Sequence, residues 1–449
     1  MTVSVVMTLV LGGAVVHELG RHPTTTVASG SGGRGQAVGT SDTASGVAGP
    51  VTGASSSGGP AGGPASGPAG ATGGSAPSSG PVGQLSAGSV GVTGTTITVG
   101  GTYDETGPFD ATVERDTVRA YFDMVNAQGG VNGHKLVLLD CDSGYDPSRA
   151  HQCSQQLLSQ QVFAIVGPLS VSGEQAETQF FTQQGVPMIG GLGVPSEFQS
   201  PLSWPVVDNL VTYGTAMGGH AKELGIHAPG VVILNAPFVE PVKASLLASL
   251  HQNGIHEKST DEVDPTKPDY TDIALKLQSE GADSVIAGLD PFSYARMFEA
   301  FERQNYHPKV LGLGLDKSSA NQQYGGAVHG AESLTPLLEP SDHQNDPNVA
   351  LYLGTVRRYF PNQVPALDVY TEGDWVAAET FVQALRAMGN QPITRQNLAN
   401  ALNSIKNFPT GLTQPLSFGA GSSHDPNRCF QWIRNNNGAW TTYSGWNCF

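Results

Sequence analysis

Val125-Asn126-Ala127-Gln128-Gly129-Gly130-Val131-Asn132-Gly133-His134-Lys135-Leu136-Val137-Leu138-Leu139-Asp140 is the stretch on which the fold turns. Just before it, Val118, Tyr121, Phe122 and Val125 recur three and four residues apart. That spacing puts them on one face of a helix over residues 116–128. Gly129-Gly130 is the stop signal for that helix. Residues 135–140 then form a short apolar run, which reads as a strand.

The same alternation extends in both directions. Residues 97–101 read as a strand before the helix. After 135–140 come a helix at 147–160, a strand at 163–167, a helix at 172–184 closed by Gly185, and a strand at 187–191. A second series follows, with helices at 211–224, 240–253, 271–280 and 292–304 and strands at 231–234, 283–287 and 310–312. Helices at 346–359, 370–388 and 394–404 complete it. Short apolar strands separated by amphipathic helices predict parallel sheets covered on both faces. Two series of domain size predict two similar α/β lobes. In open parallel sheets, ligands sit beyond the carboxyl ends of the strands.

Residues 21–94 differ in kind. They are mostly Gly, Ser, Ala, Thr, Pro and Val, as in Gly58-Gly59-Pro60-Ala61-Gly62-Gly63-Pro64. Such a stretch buries too little surface to offset its chain entropy, so a disordered tether is expected, with a span of roughly 45 Å. Residues 3–16 form an uncharged apolar run, shorter than the ~20 residues that cross a bilayer. The run matches a signal-peptide core, so residues 1–20 are expected to be a signal peptide or membrane anchor of an exported protein. No Lys or Arg precedes the run, and no Cys follows it to carry a lipid. The net charge of −16 argues against nucleic acid or anionic lipid as a partner, because both require basic patches.

The four cysteines, Cys141, Cys153, Cys429 and Cys448, fall into two sequence-local pairs and form no CxxC. Cys141 ends a strand and Cys153 begins the next helix. Cys429 and Cys448 flank two apolar runs around Asn437-Gly438, and Asn-Gly is a hairpin turn signal. Two disulfides in an oxidising compartment are expected. Four buried thiols are the alternative.

Several segments now combine into a pattern. Ile97-Thr98-Val99-Gly100-Gly101, Thr106-Gly107-Pro108 and the Val125–Gly133 stretch occur in order with Asp140-Cys141-Asp142, Asp146-Pro147, Ile165-Val166-Gly167-Pro168 and Gly185-Val186-Pro187-Met188-Ile189. This ordered set resembles leucine/isoleucine/valine-type solute-binding proteins of the periplasmic binding protein type I class. The resemblance implies two doubly wound parallel-sheet lobes joined by three crossovers near 210, 333 and 417. Lobe 1 would comprise 95–210 and 334–417, and lobe 2 would comprise 211–333 and 418–449. It further implies a monomeric receptor that passes a small amino-acid-like or amide solute to an ABC permease, with no catalysis and no cofactor. A disulfide near the second strand is common among such proteins.

The resemblance also suggests contacts. In that family, hydroxyls and backbone N–H groups at a helix start hold a ligand carboxylate. Ser170 and Ser172 occupy that segment here, and Ser172 fits equally well as a helix N-cap. Leu192, Gly193 and Val194 align with the next contact loop. Val194 stands where amino-acid binders carry a Thr, which puts a standard amino acid in doubt. Glycines 190, 191 and 193 either allow close backbone approach or only make the turn. Phe238, Asp290 and Asp316 are the lobe 2 candidates, with core packing or a surface acid as the plain alternatives. Tyr103 and Phe109 lie in a loop that rims the cleft.

Enzyme readings find little support. Ser170 and Ser172 complete no G-x-S-x-G elbow. His17-Glu18 lacks the second His of a zincin, and His251 and His256 are poorly spaced for a metal. A tethered ligand sensor of the same fold, or an exported hydrolase, remains as the rival expectation.

Overall fold

The computed structural model describes residues 82–449 apart from Ala87, Phe109, Ser422 and Ser423. The expectations for residues 1–81 and for Phe109 lie outside the described residues. The first sheet has five strands in the order β2-β1-β3-β4-β5, all parallel. They are β1 (Thr96–Tyr103), β2 (Lys135–Asp142), β3 (Ile165–Val166), β4 (Met188–Ile189) and β5 (Ser203–Trp204). The connecting helices are α1 (Thr112–Ala127), α2 (Pro147–Ser159), α3 (Glu174–Gln183) and α4 (Pro195–Gln199).

The chain then enters the second lobe through α5 (Leu210–Glu223), β6 (Pro229–Leu234), α6 (Val239–Gln252) and β7 (Ser259–Val263). It continues with α7 (Thr271–Glu280), β8 (Ser284–Gly288), α8 (Pro291–Arg303), β9 (Lys309–Leu313), α9 (Ser318–Asn321) and β10 (Glu332–Thr335). Helices α10 (Pro347–Tyr359), α11 (Val369–Met388) and α12 (Arg395–Ser404) return to the first lobe. There α11 packs against α1, with Trp375 edge-on to Tyr121 at 4.7 Å. The chain ends in β11 (Cys429–Asn436), β12 (Ala439–Thr442) and β13 (Asn447–Cys448) of the second lobe. The second sheet runs β12-β11-β10-β9-β8-β6-β7, with β13 on β11. The α/β class with two parallel-sheet lobes is as expected. The chain passes between the sheets three times: after β5, after β10 and before β11.

Differences from the sequence reading have local causes. Helix α1 starts four residues earlier than expected, because buried Val113 and Thr117 extend its inner face by a turn. β7, Ser-Thr-Asp-Glu-Val, is an edge strand that buries only Val263, so it carries no alternating apolar signal. β10, Glu-Ser-Leu-Thr, is fully buried yet reads as polar. The boundary expected at residue 94 is corrected as well. Gly83 N–H donates to Thr182 O at 2.9 Å, and Thr98 N–H donates to Gly91 O at 2.8 Å. Gly83 and Gly91, read as tether, are therefore hydrogen-bonded to the first lobe. A Cβ at Gly91 (φ 73°) would come within 2.5 Å of Phe163 N, so this docking needs a glycine.

Both cysteine pairs are disulfides, Cys141–Cys153 with Cα atoms 5.5 Å apart and Cys429–Cys448 with 4.1 Å. The hairpin between β11 and β12 turns at Asn437 (φ 54°) and Gly438 (φ 90°), the left-handed pair that a two-residue hairpin loop requires.

The lobes meet at a buried ion cluster. Lys317, in the loop after β9, donates to Glu114 Oε1 of α1 and, at 3.0 Å, to Asp368 Oδ2. Asp368 caps α11 by accepting from Tyr370 N–H at 3.1 Å and Thr371 N–H at 3.2 Å, and it also accepts from Ser318 N–H at 3.0 Å. Lys317 and Glu114 are fully buried and Asp368 nearly so. Burial pulls the Lys317 pKa down, but Asp368 and Glu114 outweigh it and raise it above the ordinary value. Removing one partner from such a cluster costs about 3–5 kcal/mol. Lys317→Met is therefore expected to lower the free energy of unfolding by about that amount in chemical denaturation. A loss below ~1 kcal/mol would mean that the cluster does not hold the lobes together.

Candidate functional site

The loops after β3, β4, β6, β8 and β9 point into the space between the two sheets. They enclose a cavity of about 170 Å³. Lobe 1 contributes Leu169, Val171, Leu192 and the start of α11, with Val369, Tyr370 and Asp374. Lobe 2 contributes Phe238, Leu289, Asp290, Leu313 and Asp316. The crossovers add Val207, Tyr213 and Leu337. The wall is mainly aliphatic and, among the described residues, includes no Lys, Arg or His. Its volume is close to the roughly 150 Å³ of an apolar cavity that admits benzene.

Five of the residues singled out from sequence come together on this wall: Gly191, Leu192, Phe238, Asp290 and Asp316. Asp290 is the N-cap of α8, accepting from Phe292 N–H and Ser293 N–H at 3.0 Å each. Asp316 is buried, and its Oδ2 has no hydrogen-bond partner. Burial pushes its carboxyl up to about 7. Asp374 Oδ2 and the Tyr213 hydroxyl are also buried without partners. Burial, followed by neighbouring Glu114, raises Asp374 well above the carboxylate range.

The other residues lie elsewhere. Tyr103 is wholly buried inside lobe 1, its hydroxyl 3.4 Å from Val166 O, so it is not on the cleft rim. Ser172 does not cap α3. The N-cap position is Gly173, which offers no side-chain cap, and Ser172 Oγ donates to Tyr145 O at 2.9 Å. Ser170 is buried below the wall. Gly193 and Val194 sit behind Leu192, with Val194 opening α4.

The N–H groups of Ser170, Val171, Leu192, Gly193 and Val194 in these lobe 1 loops are taken by carboxyls of the chain. Asp104 accepts from Tyr145 N–H at 2.7 Å and Val171 N–H at 2.8 Å. Glu174 accepts from Ser170 N–H at 3.1 Å and from Leu192 N–H. Glu197 accepts from Gly193 N–H at 3.1 Å and Val194 N–H at 3.2 Å. Glu174 and Glu197 are fully buried and hydrogen-bonded to one another. Burial, then Glu197, raises Glu174 well above its ordinary value, and burial pushes Glu197 up to about 7. Two buried carboxyls in contact do not both ionise, so they share a proton.

Sequence reading missed Tyr213, Tyr370 and Asp374. The latter two flank Gly373 in Tyr370-Thr371-Glu372-Gly373-Asp374. A small residue framed by polar ones at helical spacing is a usable signal for a wall that another segment approaches; Val207 lies 3.4 Å from where a Gly373 Cβ would be.

The family model for periplasmic binding proteins matches residues 96–439. The chain belongs to the periplasmic binding protein family. Members of this family bind small solutes and are exported, and no helix among the described residues is long and apolar enough to cross a membrane. Among curated relatives, the leucine-specific-binding protein of Salmonella typhimurium is 20% identical over 227 residues, 49% of this chain and 61% of the relative. The chain thus spans less than two thirds of that relative. The Leu/Ile/Val-binding protein homolog 3 of Brucella melitensis is 22% identical over 70% of this chain and 85% of its own length. Among solved structures, the fatty acid ABC transporter substrate-binding protein from Thermomonospora curvata has a TM-score of 0.72 at 19% identity, covering 81% of this chain and 95% of its own. A branched chain amino acid ABC transporter from Thermus thermophilus with bound valine has a TM-score of 0.72 at 15% identity, covering 79% and 97%. At these identities the structural likeness establishes the fold.

The buried acids make stability depend on pH. Burial raises Asp316 and Glu197 to about 7, and Asp208, Glu177 and Glu339 to about 8. The folded state keeps protons that the unfolded chain releases above about pH 4. Their stabilisation is full below that pH and is lost as pH rises through 7 and 8. His424, held low first by burial, acts in the opposite direction only below about pH 6.5. The melting temperature is therefore expected to fall from pH 7 to pH 9 in scanning calorimetry. A flat or rising profile would contradict this.

Proposed function

We propose that this protein is an extracytoplasmic solute receptor of an ABC importer and that its lobes close on a small, largely apolar solute. The observation that carries the reading is the cavity of about 170 Å³ built jointly from the strand-end loops of both sheets. We assign contact to Leu192, Phe238, Asp290 and Asp316, and also to Tyr213, Tyr370 and Asp374, which line the same cavity. Ser170, Gly193 and Val194 act by shaping the loop behind the wall. The importer as partner is supported by structural neighbours, one named a fatty acid ABC transporter substrate-binding protein and another a branched chain amino acid ABC transporter. Export is supported by the two disulfides, which persist in oxidising compartments. In this reading residues 1–20 serve as signal or anchor, and the Gly/Ser/Pro-rich stretch that follows serves as tether.

A thermal-shift screen of the chain against small solutes tests the proposal. A solute at about 100 times its Kd stabilises the folded state by about 2.7 kcal/mol, so a hit raises the melting temperature. Leu192→Arg, which pushes a long cation into the aliphatic wall, is expected to abolish the shift while circular dichroism stays unchanged. Hits that bind this variant as well as the wild type would place the site elsewhere.

A further inference from the structure

The two loops that close the lobe 1 side of the cavity converge on one side chain. Ser170 N–H follows β3, Leu192 N–H follows β4, and both donate to the Glu174 carboxyl. Gly191 lies against it at φ 121°, where a Cβ would meet Glu174 Oε1 at 2.5 Å and Glu197 Oε2 at 2.7 Å. A side chain at this position would displace the paired carboxyls. Glu174 therefore occupies, from inside the protein, the position where paired N–H groups would otherwise receive an anion.

The rest of the wall offers an anion no cation, and its unpartnered Tyr213 hydroxyl is a neutral donor. Among the described residues it holds no Lys, Arg or His, and its unpartnered buried atoms include the carboxyl oxygens Asp316 Oδ2 and Asp374 Oδ2, which a bound ammonium would draw to the ionised, accepting form. Desolvating a carboxylate without a cation or N–H partner is strongly unfavourable. Buried acceptors without donors favour a solute that brings donors.

We propose that Glu174 is a specificity-determining residue that excludes carboxylate-bearing solutes, and that the cleft takes small apolar solutes with an amine head group. The inference rests on the solute-receptor reading above and narrows it to one chemical class.

Isothermal titration calorimetry of the full chain with matched probes tests it. The probes are isoamylamine, isoamyl alcohol, isovalerate and leucine, together with benzylamine and benzoate. The expected result is that an amine binds at least tenfold more tightly than the carboxylate of the same carbon body, and that leucine binds no better than isovalerate. Glu174→Ala, which frees the Ser170 and Leu192 N–H groups, should narrow that gap at least tenfold. Glu174→Gln keeps an acceptor oxygen in place and should retain the preference. If Glu174→Ala does not fold, the wild-type series decides alone. Isovalerate, benzoate or leucine binding the wild-type cleft as tightly as the amines overturns the inference and leaves the receptor reading standing. Binding of no probe, the alcohol included, overturns both.

Discussion

A lysine buried between two carboxyls from the opposite lobe is the constraint on which this architecture rests. Lys317 reaches out of the second sheet to Glu114 of α1 and Asp368 at the head of α11. Each member is too deeply buried to be left unpaired. The loop after β9, the start of α11 and the first helix are therefore fixed relative to one another. Those elements carry Asp316, Tyr370 and Asp374, which form one side of the cavity. The charge cluster sets the geometry of the wall without itself lining it.

The opposite side of the cleft is organised by a different use of acids. Asp104, Glu174 and Glu197 each take backbone N–H groups from the loops that end the lobe 1 strands. The N–H groups so bound need no solute, so these loops can hold a defined shape around an aliphatic cavity. The result is a cleft whose hydrogen-bonding capacity on the lobe 1 side is largely internal. The remaining polar demand comes from the carboxyls of Asp316 and Asp374 and the hydroxyl of Tyr213.

Most of the fold was legible because helices and strands alternate with clear periods. Thr271–Glu280 coincides with its sequence-based range, and Asn437-Gly438 turns the hairpin as its composition requires. β7 and β10 were illegible because an edge strand and a polar buried strand carry no period-two apolar pattern. In the site, Leu192, Phe238, Asp290 and Asp316 were reachable because they follow recognisable strands. Tyr213, Tyr370 and Asp374 were not, since they sit on helix faces brought in by the crossovers. Lys317 beside Asp316 reads as an ordinary pair of surface charges; its burial depends on Glu114 and Asp368, far away in sequence. Glu174 and Glu197 read as helix-surface acids. Only the three-dimensional arrangement reveals that they fill the loops where a carboxylate was expected to bind.

The most direct measurement is a crystal structure of the protein with a solute that raises its melting temperature. The account predicts density for the solute between Leu192, Phe238 and Leu313, with both lobes in contact and with Glu174 still accepting the Leu192 N–H. A solute bound on an outer surface, or touching one lobe only, would contradict it.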